Sequence, residues 1–117
     1  MVGIGIDAVE IERFRRLLDR RPAMVTRLFT PDERTAGSGV PGLAARFAAK
    51  EATMKALGVG LGAFRFHDVE VVRLESGAPE LRVSGAAETL AAARGVRGWK
   101  VSLTHTSSVA EAVVVAL

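Results

Sequence analysis

The chain has no cysteine, no tyrosine and one tryptophan, and aromatic residues make up only 5% of its 117 positions. Without thiols there is no disulfide, no thiolate metal ligand and no cysteine nucleophile, a composition suited to a reducing compartment. The only histidines, His67 and His105, are too few and too far apart for a histidine-built metal centre. Sparse aromatics argue against a surface that stacks bases, and no zinc-finger or RNP-type pattern occurs, so no nucleic-acid partner is expected. Four prolines and no low-complexity run leave no long linker, and no internal repeat is present. No apolar stretch approaches the ~20 residues that span a bilayer, and MVGIGIDAVE lacks the basic start of a secretion signal. The expectation is a cytoplasmic protein with no membrane partner, one domain over residues 1–117 and a modest core of its own.

What is abundant is arginine, 13 of the 16 basic residues, giving a net charge of +3. Its planar fork suits phosphate and carboxylate, so an anionic partner is expected.

Residues 2–7 alternate, with Val2, Ile4 and Ile6 on one face and Gly3, Gly5 and Asp7 on the other, which predicts a first strand closed by Asp7. The two glycines invite close approach of a ligand, another strand or another subunit. EIERFRRLLDRR sets Ile11, Phe14, Leu17 and Leu18 at helical spacing with a basic outer side, and Pro22 opens a further short helix through Phe29. In TPDE, Thr30 reads as an N-cap, Pro31 as the first helical residue and Glu33 as the capping-box partner. After the break SGVPG a long helix is expected over about 41–57, stopped by Gly58. DVEVVRLE and ELRVS form a hairpin around SGAP, GAAETLAAARG a small helix, WKVSLTH an alternating strand, and VAEAVVVAL a last strand apolar on both faces. This order predicts an α+β fold with a largely antiparallel sheet, the last strand buried in a subunit interface.

Within the long helix, Leu43, Phe47, Lys50, Met54 and Leu57 share one stripe, with Glu51 and Lys55 on its edge beside Ala44 and Ala48. Glu51 and Lys55 read either as an i,i+4 ion pair or as members of a site. If the helix packs across the first strand, Glu51 meets Asp7, and two carboxylates with open positions are a common way to hold Mg²⁺ beside substrate phosphates. Lys55 then either reaches a phosphate or neutralises Glu51. Lys50 buries its stem and meets an edge or a buried acid. His105 reads equally as a partly buried structural residue and as a ligand, and His67 as a loop residue. GIG and GVGLG are neither a P-loop nor a dinucleotide fingerprint.

G-I-D with V-E-I, R-F-A-A-K-E-A-x-x-K-A-x-G-x-G, D-V-E-V, G-x-P and S-L-T-H follow one another over nearly the whole chain. Together they resemble the holo-[acyl-carrier-protein] synthases, the short 4′-phosphopantetheinyl transferases. The resemblance implies transfer of 4′-phosphopantetheine from coenzyme A to a serine of apo-acyl carrier protein, with release of adenosine 3′,5′-bisphosphate, in fatty-acid or polyketide synthesis. It puts the metal, Mg²⁺ or alternatively Mn²⁺, on Asp7 and Glu51, and a phosphate contact on Lys55. His105 falls near the nucleotide end of coenzyme A, with Gly60 and Pro79 at matching motif positions. The family's homotrimers have three sites at subunit interfaces, so Arg46, on the far side of the helix from Glu51, is expected to serve a neighbouring site. Docking of the acidic carrier protein falls on Arg13, Leu17, Arg20, Met24 and Arg27, with Leu17 and Met24 as apolar anchors. Glu51, or a metal-bound water near it, is the candidate base. Ala78 stands where many relatives carry a basic residue, and Thr104 where serine is common. A basic nucleic-acid-binding module and a non-catalytic oligomeric scaffold are the rival readings; steep salt dependence of binding would mark the first.

Overall fold

A computed structural model describes residues 1–117. Strand β1 (Gly3–Glu10) leads into helices α1 (Ile11–Arg20), α2 (Ala23–Leu28) and α3 (Pro31–Arg34), then the long helix α4 (Gly39–Leu57). A hairpin of β2 (Val69–Arg73) and β3 (Pro79–Val83) precedes α5 (Gly85–Ala93), β4 (Trp99–His105) and β5 (Val109–Ala116). Every strand pair is antiparallel, but there are two sheets: β1-β5-β4, with β5 in the middle, and the separate β2–β3 hairpin. The α+β expectation holds, with the hairpin split from the main sheet.

Local chemistry accounts for the element boundaries. Thr30 accepts from the Glu33 amide while the Glu33 carboxylate accepts from the Thr30 amide, the reciprocal cap that the sequence predicts. Gly58 ends α4 at φ 70°, a left-handed conformation that costs a residue without Cβ nothing. Helix α4 starts at Gly39, two residues before the expected 41, because Pro41 falls in the first turn, where its missing N–H is no loss.

Strand β1 continues to Glu10, so Asp7 lies inside the strand and does not close it. Its glycine face is turned to α4 of the same chain. A Cβ on Gly3 would collide with the Ala56 carbonyl, and one on Gly5 with the Ala52 carbonyl. What the two glycines admit is therefore the helix backbone, not a ligand or another subunit. The isoleucine face looks outward, with Ile4 57% and Ile6 62% exposed.

The stripe of large residues on α4 is not what seats it on the sheet. Ala44, Ala45, Ala48, Ala49, Ala52 and Ala56 are all buried, and Ala48, Ala49, Ala52 and Ala56 share a cluster with Ala112, Val114 and Ala116 of β5. Small side chains on both elements let helix and sheet approach closely, which preserves packing density without large groups. A second cluster joins Ile11, Phe14 and Leu18 of α1 to Leu28, Phe29, Ala44 and Ala45.

Candidate active site

From Ala44 to Leu57 only Phe47, Glu51 and Lys55 escape full burial. They are spaced four residues apart and form one line along a helix otherwise enclosed by the two clusters. On the sheet side Asp7 shares the inner face of β1 with Gly3 and Gly5, opposite Ala112 of β5. Register and helix packing thus bring Asp7 and Glu51 to one cleft of about 290 Å³, which Arg13, Phe14, Leu17 and Phe47 also line.

Lys55 does not pair with Glu51. Its ammonium lies 3.1 Å from Asp7 Oδ1 and 3.0 Å from the Ile6 carbonyl, crossing from helix to strand. Burial raises the Glu51 pKa above the ordinary carboxylate range, the Asp7 charge raises it further, and Lys55 opposes both. Two half-buried acids share the cleft with Arg13, and Lys55 contacts Asp7 and not Glu51. Such a donor set suits a divalent ion that takes two protein carboxylates and completes its shell with water and phosphate oxygens.

Phe47 and Glu51 also line a larger groove, of about 1170 Å³, together with Arg21, Met24, Arg27, Phe66 and His67. The two clefts therefore meet at Phe47 and Glu51. Phe47 stacks on Phe14 at 5.2 Å between ring centroids and tilts against Phe66 at 5.8 Å. Helical spacing groups Phe47 with Leu43, Lys50, Met54 and Leu57, whereas the structure sets it with Glu51, four residues on, along one open edge.

Of the docking candidates, Arg13 and Leu17 line the first cleft and Met24 and Arg27 the groove, while Arg20 is exposed beyond both. Leu17 and Met24 are half-buried and the three arginines exposed, an apolar line edged with positive charge. Arg46, Gly60, Pro79 and His105 line neither cleft of this chain. Arg46 is buried, donating to Ser38 Oγ at 2.8 Å and to the Gly42 carbonyl, with its Nε unpartnered. Gly60 is exposed after the α4 C-cap, and Pro79 begins β3. His105 ends β4, the edge strand two places from β1, and it is exposed, not a partly buried structural residue. His67 lies in a 3-10 turn, Phe66–Asp68, with its Nε2 2.7 Å from the Thr26 carbonyl.

The sequence profile of the 4′-phosphopantetheinyl transferase superfamily matches residues 3–114. The holo-[acyl-carrier-protein] synthase of Streptomyces griseus is 52% identical, covering 99% of this chain and 98% of its own length. The Neisseria meningitidis holo-[acyl-carrier-protein] synthase superposes with a TM-score of 0.90 at 33% identity, covering 100% of this chain and 98% of that one. The Helicobacter pylori enzyme in complex with coenzyme A gives 0.88 at 30% identity, covering 97% of this chain and 99% of that one. No helix here is long and apolar enough to cross a membrane. The chain belongs to the 4′-phosphopantetheinyl transferase superfamily, among the holo-[acyl-carrier-protein] synthases, and is an enzyme of that kind.

Proposed function

We propose that this chain, as one transferase domain over residues 1–117, moves 4′-phosphopantetheine from coenzyme A to a serine hydroxyl of apo-acyl carrier protein and releases adenosine 3′,5′-bisphosphate. The observation that carries this reading is the meeting of Asp7 and Glu51 in one cleft with Lys55 at its edge. The two carboxylates would hold Mg²⁺, or Mn²⁺ in its place, whose chemistry is to neutralise pyrophosphate charge and draw electrons from the phosphorus under attack. Lys55 turns from Asp7 to a phosphate oxygen once that charge arrives, since its side chain is more than half exposed. Glu51, or a metal-bound water near it, accepts the serine proton.

The two clefts meet at Glu51, where acceptor and donor come together. Arg13, Leu17, Arg20, Met24 and Arg27 form a basic, apolar-cored strip on α1 and α2 that fits an acidic carrier-protein helix. The uncovered Ile4 and Ile6, paired in register with Val115 and Val113, make an apolar sheet face that association into a homotrimer would bury. In that trimer Arg46, His105, Gly60 and Pro79, which lie away from this chain's own clefts, contribute to coenzyme A sites shared between subunits. The setting is the cytoplasm, in fatty-acid or polyketide synthesis.

The test is intact-protein mass spectrometry of apo-acyl carrier protein after incubation with this chain, coenzyme A and Mg²⁺. A gain of one phosphopantetheine mass, abolished by EDTA, is the expected result. No gain across several carrier proteins would overturn the reading.

A further inference from the structure

Lys50 is fully buried, next in sequence to Glu51 and facing away from it. All three of its ammonium protons are used: it donates to Glu33 Oε1 at 2.8 Å, to the Phe66 carbonyl at 3.0 Å and to the Val69 carbonyl. The Phe29 ring lies beneath it at 5.7 Å. Glu33 is equally enclosed, taking the Thr30 amide on Oε1 and the Val71 amide on Oε2, each at 3.0 Å. Burying an ion pair here gains no stability that well-packed apolar residues could not supply. An apolar side chain could not, however, grip two carbonyls.

Those carbonyls belong to the 3-10 turn Phe66–Asp68 and the residue after it, and the turn lines the larger groove with Phe47, which Phe66 touches, and Glu51. The turn is held from α2 by His67 on the Thr26 carbonyl and from α4 by Lys50. Helix α4 thus carries Glu51 and, through the adjacent residue, also holds the turn that lines the same groove.

We infer that Lys50 and Glu33 are positioning residues: the buried pair sets the distance between the Phe66–Asp68 wall and Glu51, and with it the seat of the transferred arm of coenzyme A. The second half of this inference rests on the transferase reading. The groove runs from Glu51 over the touching rings of Phe47 and Phe66 to Met24, an apolar floor suited to a thin, uncharged arm whose phosphate lies at the carboxylates.

The test uses the double variant Lys50→Met with Glu33→Gln, which removes both charges at once and so avoids stranding one of them in the core. Amide hydrogen exchange, read on the unligated protein, is expected to quicken at residues 65–69 while α4 keeps its protection. In transfer assays KM for coenzyme A is expected to rise about tenfold with kcat far less affected, the pattern of a displaced binding wall. Unchanged exchange at 65–69 together with unchanged KM, in a folded double variant, would overturn the inference. A wild-type enzyme that transfers nothing would sink the transferase reading and the arm's seat with it, while the exchange measurement still decides whether the pair holds the wall. If the double variant does not fold, Lys50→Arg serves instead, because a planar guanidinium cannot aim donors at the same three oxygens.

Discussion

The Lys55 ammonium sits 3.1 Å from Asp7 Oδ1, so the helix lends its cation to the strand and leaves Glu51, one turn earlier, without an ion pair. The arrangement holds a positive charge where an incoming phosphate can take it over. Lys55→Met is expected to lower kcat/KM for transfer by roughly 100-fold, the usual loss when one group stabilising transition-state charge is removed. Activity within threefold of wild type would leave Lys55 as a partner of Asp7 only.

Asp7 and Glu51 together are expected to bind the metal, and this can be read without turnover. Mg²⁺ should raise the melting temperature of the wild-type protein by mass action and should fail to do so for Asp7→Ala. An equal shift in both proteins would remove Asp7 from the metal site.

The raised pKa of Glu51 has a consequence for stability in the absence of metal. A carboxylate whose folded pKa exceeds its unfolded value binds protons more readily when folded, so this group adds stability as pH falls through the folded pKa. Conversely, it costs stability at neutral pH, where it is ionised. Glu51→Gln is therefore expected to melt higher than wild type at pH 7 while losing activity, and the difference should shrink as the pH is lowered toward the ordinary carboxylate range. A variant that melts lower at neutral pH would contradict the strained carboxylate.

Ile4→Asp tests the sheet face. Light scattering coupled to size exclusion should find trimers for wild type and monomers for the variant, because an aspartate cannot be buried unpaired in an apolar interface. Trimers in both, or monomers in both, would separate this face from assembly.

Charge reversal at Arg13 and Arg20 is expected to weaken binding of acyl carrier protein, with a milder salt dependence, and to leave coenzyme A binding intact. Equal damage to both ligands would refute the docking role of this strip.

The features legible in the sequence were those whose cause is local. The Thr30–Glu33 cap, the stop at Gly58 and the extent of β4 each follow from a few neighbouring residues. Alternation in β1 defined two faces, but which of them is covered depends on α4, some 40 residues later, and the smaller face won because it admits a helix backbone. For the same reason the partner of Lys55 was not the acid four residues away but Asp7, and Lys50 found its acid in Glu33. The roles of Asp7, Glu51 and Lys55 became readable through motif resemblance; spacing alone left them open.

The seam between β1 and α4 contains almost no side chain: Gly3 and Gly5 rest on the peptide groups of Ala56 and Ala52. Even Gly5→Ala should cost about 1–3 kcal/mol by overpacking. The gauge that separates Asp7 from Glu51 is thus cut from main chain, and main chain is the one part of a protein that substitution elsewhere does not resize. The surrounding core can drift in volume and composition while the spacing on which catalysis depends stays the same.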